Sequence, residues 1–193
     1  KLILSNVGHF DERKNQRLLI EIGHQLRQQG REVEIWLIGD GPERTACERL
    51  VSERGLNGSV KFWGRQQAPW QRVAQSDLYV HTALNDNCPY ALLEAFAVNT
   101  PVLALPVGGI PELLPNGAGA LRGGTPAELA GELLPFFDLE NRRRLADKQA
   151  AHAAGAFDPD RAVARLLHFY QQAMPRTDIT WLTSAPERLV LAG

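Results

Sequence analysis

The amino-acid sequence predicts a doubly wound α/β domain built on a mainly parallel sheet. Two observations carry that expectation. Five short runs are apolar at consecutive rather than alternate positions, which marks strands covered on both faces. Stretches with an apolar period near ~3.6 residues separate them, so each strand reaches its neighbour through a crossover helix.

The elements follow in order. Leu2 to Val7 reads as the first strand. Arg13 to Gln29 reads as a helix with Leu18, Leu19, Ile22 and Leu26 on one face, closed by Gly30. Val33 to Ile38 is the second strand, ended by Gly39-Asp40-Gly41-Pro42, and a helix runs from there to about Arg54. Val60 to Trp63 is the third strand, Pro69 to Gln75 a short helix, and Leu78 to Thr82 the fourth strand. Pro89 to Val98 is a helix, with proline suited to its first position and Asn99 to a left-handed exit before Thr100-Pro101. Val102 to Leu105 is the fifth strand and Gly119 to Leu121 a sixth; helices fill Pro126 to Phe137, Leu139 to Ala154 and Arg161 to Met174. Residues 1–174 are thus expected to form the domain, with Pro175 to Gly193 as a tail that packs on it or beside another domain. In such a sheet ligands sit outside the carboxyl ends of the strands, which directs attention to the loops beginning at Gly8, Gly39, Gly64, Ala83 and Pro106.

Composition narrows the function. The 193 residues are 44% hydrophobic and 22% charged, and no apolar run approaches the ~20 residues that cross a bilayer. With 21 basic against 22 acidic residues the net charge is -1, which argues against nucleic acid as a partner and makes any anion site local. Cys47 and Cys88 stand far apart with no metal-ligand spacing, which favours reduced thiols in the cytoplasm and no bound metal. Lys1 begins directly on a strand, so the chain is expected to continue a longer protein with a preceding domain.

Several residues could carry chemistry. Arg13 and Lys14 place two cations near a helix start, where the macrodipole disfavours them unless an anion is held there; they could also extend into water beside a capping Asp11. In NDNCPYALLEAF, Glu94 lies inside an apolar helix whose amino-terminal amides suit a phosphate, and a carboxylate there can accept from sugar hydroxyls. Asp86, eight positions earlier (94 minus 86), can accept from a second sugar; the other reading has Asp86 or Asn87 capping the helix and Glu94 paired with an arginine. Gly64-Arg65 offers a guanidinium at the same rim or a solvated side chain, and Gly108-Gly109 a close backbone approach to a ligand or a plain turn. Asp158-Pro159-Asp160 reads as a helix cap rather than a metal site, and His81 at a strand end as a packed histidine. No P-loop, nucleophile elbow or HExxH occurs, and GHFDERKN replaces the glycine fingerprint of a dehydrogenase.

The ordered segments VGHFDERKN, LIGDGPE, VKFWGR, HTALNDNCPYALLEAFAVNTPVLA and VGGIPELL resemble the carboxyl-terminal, donor-binding domain of GT-B glycosyltransferases of family 4. The resemblance runs from about Val7 to Leu114 and more loosely to Met174. It implies a Rossmann-like sheet and a retaining sugar transfer, without a metal, from a UDP- or GDP-sugar. Lys14 matches the family's diphosphate-binding lysine, while His9 stands where an arginine is usual. Of the family's two glutamates at this spacing, Glu94 matches the one that holds the ribose, and Asp86 replaces the one that contacts the transferred sugar. Catalysis would then fall to Lys14, Asp86 and Glu94. Donor binding would involve His9, Lys14, Gly64, Arg65 and Glu94, with Asn87, Cys88, Tyr90, Ala91 and Leu92 at the helix mouth. The partner implied is an amino-terminal GT-B domain carrying the acceptor site, in a cytoplasmic protein with peripheral contact to the inner membrane face. The pathway implied is bacterial polysaccharide or lipopolysaccharide synthesis. The departures at His9 and Asp86 also fit a noncatalytic nucleotide-sugar sensor, and a GT-B-type epimerase is a third possibility.

Overall fold

The computed structural model describes residues 1–173; Met174 and the expected tail lie outside them. Five strands form one sheet: β1 (Leu2–Val7), β2 (Val33–Ile38), β3 (Val60–Gly64), β4 (Leu78–His81) and β5 (Val102–Ala104). Their order is β3-β2-β1-β4-β5 and every pair is parallel, as the all-apolar runs require. The chain winds outward from β1 to β2 and β3, then returns to lay β4 on the other side of β1. The strand order therefore reverses between β1 and β4, and their carboxyl ends at Val7 and His81 flank the crevice where such sheets bind ligands.

Helices α1 (Gln16–Gln28), α2 (Arg44–Glu53), α3 (Trp70–Val73), α4 (Tyr90–Ala97), α5 (Ile110–Leu113), α6 (Pro126–Leu133) and α7 (Leu139–Ala156) connect the strands or follow the last of them. One core joins Leu19, Ile22 and Leu26 of α1 to Leu4, Ile35 and Leu37 of the sheet and to Leu129 and Leu133 of α6. The other joins Leu92 and Phe96 of α4 to Tyr79, Val102, Ile110 and Leu113.

Four local departures have identifiable causes. α1 begins at Gln16, not Arg13, because Asp11 Oδ1 accepts the Lys14 amide at 2.9 Å and Asn15 turns left-handed at φ 49. Pro89 stands just outside α4 with an extended ψ of 108, so its helix opens at Tyr90. The stretch from Pro126 divides at Leu134, where Pro135 starts a 3-10 turn to Phe137. The expected sixth strand is a single parallel bridge, Ala104 to Ala120.

The outer edge of β5 is closed by a side chain. Gln149 of α7, fully buried, accepts the Val102 amide at 2.8 Å and donates to the carbonyls of Val102 and Ala118 at 2.9 and 3.0 Å. An edge strand otherwise leaves such groups bare.

The described residues divide into two compact units, Lys1–Ala153 and a second beginning at Ala154. The second contains α8 (Pro159–Ala173), capped by Asp158, whose Oδ1 accepts the amides of Asp160 and Arg161. Among the described residues no helix is long and apolar enough to cross a membrane.

Candidate functional site

Lys14 precedes α1 at the end of the β1 loop, and Asp86 follows β4, so the two come from opposite sides of the strand reversal. Their side chains meet: Lys14 Nζ donates to Asp86 Oδ2, and both groups are largely shielded from solvent. The two residues are 72 positions apart, and only the sheet order joins them.

The segment that holds Asp86 is fixed from below by the loop after β5. A Cβ added at Gly108 would stand 2.2 Å from Asp86 O, and one at Gly109 2.1 Å from Asn87 O. Gly108 also adopts φ 55, in the left-handed region. The Gly109 amide donates to Asp86 O at 3.1 Å. The glycine pair thus lets two stretches of backbone meet under the site.

Asp86 has a second partner behind it. His81 Nε2 lies 3.1 Å from the same Oδ2, and His81 Nδ1 lies 3.3 Å from the hydroxyl of Tyr79. Burial, reinforced by the charge of Lys14, pushes the imidazole down to about 4 against the pull of Asp86, so the ring is neutral. Burial likewise raises the Tyr79 phenol, helped by the charges of Asp86 and Glu94. His81 is packed in the interior, as expected of it, and it also bonds a carboxylate of the site, which the strand-end position alone did not show. The signal was a polar residue ending an otherwise apolar strand, five positions before an aspartate.

Glu94 lies on the second turn of α4. Among the described residues its carboxylate makes no hydrogen bond or ion pair, and burial alone raises its pKa. The arginine partner that would have explained it structurally is absent there. The start of α4 carries no side-chain cap and no acidic residue in its first turn, so neither Asp86 nor Asn87 caps it. An uncapped helix start beside a lysine, with an unpartnered carboxylate one turn further in, can receive an anion that also carries hydroxyl donors.

Asn87, Cys88 and Tyr90 are exposed around this helix mouth and Ala91 is half-buried. Leu92 departs from the expectation: its side chain is buried in the core and its amide donates to Pro89 O at 3.0 Å, so it presents no group to the cleft. On the far side of Gly8, a crevice of about 180 Å³ is lined by Val7, Gly8, His9, Gly39, Asp40 and Arg65. Gly64 ends β3 beside it at φ 64, and its carbonyl accepts the Gly39 amide at 2.9 Å. Arg13 turns away and pairs with Asp11 at 2.9 Å in solvent. A larger cleft at Lys1, Arg27, Arg31 and Glu32 lies at the amino-terminal ends of the strands, remote from this constellation.

Comparison with known proteins converges on one family. The family model for glycosyl transferases group 1 matches residues 1–153. The chain is 32% identical over 102 residues to the lipopolysaccharide core biosynthesis glycosyltransferase LpsE of Rhizobium meliloti, covering 53% of this chain and 29% of that protein. It is 25% identical over 177 residues to the alpha-D-kanosaminyltransferase of Streptomyces kanamyceticus, covering 88% and 45%. Among solved structures, Anabaena Alr3699/HepE in complex with UDP superposes with a TM-score of 0.78 at 23% identity, over 90% of this chain and 49% of that one. WaaG, a glycosyltransferase involved in lipopolysaccharide biosynthesis, gives a TM-score of 0.71 at 21% identity, over 80% and 43%. The chain therefore spans less than half the length of these relatives and shares the fold of GT-B glycosyltransferases. On its own match over residues 1–153, it belongs to the group 1 glycosyl transferases.

Proposed function

We propose that this chain is the donor-binding half of a retaining glycosyltransferase whose substrate is a nucleoside-diphosphate sugar. The observation that carries the reading is Glu94, a partly desolvated carboxylate without a partner among the described residues, one turn inside a helix start that none of their side chains caps. Such a group is an acceptor held ready for hydroxyls, and the ribose of a nucleotide supplies two vicinal ones.

In this reading the diphosphate settles over the first amides of α4 and draws Lys14 away from Asp86. His9 and Arg65 lie at the rim of the neighbouring crevice, which receives the rest of the nucleoside. Glu94 accepts from the ribose, and Asp86, released from Lys14, accepts from the transferred sugar. As the glycosidic bond breaks, negative charge grows on the leaving diphosphate. Lys14 and the helix amides are already in place to meet it, so they stabilise the transition state more than the ground state. The reading calls for no metal.

The bound UDP of the Anabaena neighbour supports a uridine or similar donor, and the LpsE and WaaG names support a role in lipopolysaccharide or other polysaccharide synthesis. The acceptor would be held by an amino-terminal GT-B domain, in a cytoplasmic protein that touches the inner membrane face through that half. Calorimetric titration with UDP, GDP, ADP and their glucose conjugates tests the proposal. Binding of at least one nucleotide, lost in Lys14→Met, is expected; a folded chain that binds none of them overturns it.

A further inference from the structure

Behind Asp86 lies a line of buried polar groups that the donor reading does not use. Tyr79 and His81 are alternate residues of β4 and so share a face. Their rings stack with centroids 6.1 Å apart at 20°, and they are 0% and 1% exposed. Counting protons fixes the direction of the line. A carboxylate only accepts, so the 3.1 Å contact with Asp86 Oδ2 requires the ring proton on His81 Nε2. A neutral ring then leaves Nδ1 bare, and the hydroxyl of Tyr79 at 3.3 Å is the donor that can satisfy it. The Val7 carbonyl, also 3.3 Å from that hydroxyl, competes for the same proton, but giving it up would leave Nδ1 buried without a donor.

The arrangement at Asp86 is one-sided. Lys14 and His81 both bond Oδ2, while Oδ1 makes no hydrogen bond among the described residues. An anion that captures Lys14 removes one of these holds and leaves the other. We propose that Tyr79 and His81 are positioning residues for Asp86: the hydroxyl sets the tautomer, and Nε2–H keeps Oδ2 in place so that Oδ1 faces the ligand after Lys14 has moved to the anion. This rests on the donor reading, in which Oδ1 meets the sugar rather than the nucleotide.

Two measurements on the full chain test it. Nitrogen-15 spectroscopy of the histidine rings should show His81 as the Nε2–H tautomer near neutral pH, and Tyr79→Phe should shift it toward a mixture of tautomers. An Nδ1–H or doubly protonated ring in the unaltered chain overturns the proposal. In calorimetry with the tightest-binding nucleotide of the six-ligand panel and its glucose conjugate, His81→Leu should weaken the conjugate by about ten- to a hundredfold, the range for a hydrogen bond to a charged group. The bare diphosphonucleoside should change by no more than about twofold, because it does not reach Oδ1, and His81→Gln, which carries a donor near the same place, should recover most of the loss. Equal weakening of both ligands, or no recovery in a folded His81→Gln variant, overturns the proposal while nucleotide binding still stands. Failure of every ligand to bind the unaltered chain overturns the donor reading, and the proposal with it.

Discussion

Changing Gln149 to leucine should cost the fold about 3 to 5 kcal/mol. The number follows from what the amide does. Val102 opens β5 and stands opposite Tyr79 of β4, which donates to the preceding carbonyl, Pro101 O; in a parallel pair the amide and carbonyl of Val102 itself then point outward. Gln149 pairs both, at 2.8 and 2.9 Å, and also donates to Ala118 O at 3.0 Å, with the whole residue sealed from solvent. Leucine fills a similar volume but leaves one donor and two carbonyls buried without partners, each worth about 1 to 3 kcal/mol, less the relief of no longer burying a primary amide. The melting temperature should fall by roughly 6 to 20 °C for a chain of this size. Urea unfolding followed by circular dichroism reads the change directly. Gln149→Glu separates hydrogen bonding from packing: its carboxylate can accept from Val102 but then faces two carbonyls. It should be less stable than the leucine variant near neutral pH and should recover as falling pH protonates the carboxyl, whose pKa burial and the two facing carbonyls raise above the ordinary value. A leucine variant within about 1 kcal/mol of the parent, or a glutamate variant as stable as the parent, would refute the edge-closing role.

Glu94→Gln should abolish nucleotide binding while leaving stability equal or higher near neutral pH. The carboxyl's pKa is raised by burial, so its ionised form is disfavoured in the fold; that penalty is present above the folded pKa and disappears as pH falls below the ordinary 4.5. A variant less stable than the parent near neutrality would reveal a partner for Glu94. Gly109→Ala should weaken nucleotide binding by about tenfold or more through displacement of Asn87, since its Cβ would sit 2.1 Å from Asn87 O; unchanged affinity would show that the loop yields freely. Acid should remove a separate contribution. Glu34 is nearly buried, which works to raise its pKa, but Lys1, Lys61 and the indole of Trp36 hold it at about 2. Its stabilisation, about 3 kcal/mol, is complete above 4.5 and lost as pH falls toward 2. Glu34→Gln should flatten that part of the stability curve, and an unchanged acid limb would count against it.

Much of the architecture was legible because the relevant signals are local. VEIWLI and LYVH carry apolar residues on both faces of the strand and so require cover on both, and helical stretches between them supply it. Asn99 reads as a helix exit because few residues tolerate its φ of 54. The boundaries of α1 and α4 were less legible: Asp11 and Asn15 spend local hydrogen-bonding and dihedral freedom on a turn that postpones the first helix, and Pro89 lends its fixed φ to the approach rather than the first turn. The partner of His81 and the role of Gln149 were not legible because a polar residue in an apolar setting is explained only by what it meets, and those partners come from loops and strands brought near by the fold.

The sequence by itself determined the parallel α/β class, the loops that could hold a ligand, and the chemical kinds gathered there: a lysine, two carboxylates and an apolar-flanked helix start. Only the tertiary structure decided that Lys14 grips Asp86, that His81 holds the same oxygen from behind, and that the Glu94 carboxylate is left without a partner among the described residues. Side-chain chemistry and backbone preference are written residue by residue, whereas hydrogen bonds across a strand-order reversal depend on which distant segments the sheet sets side by side.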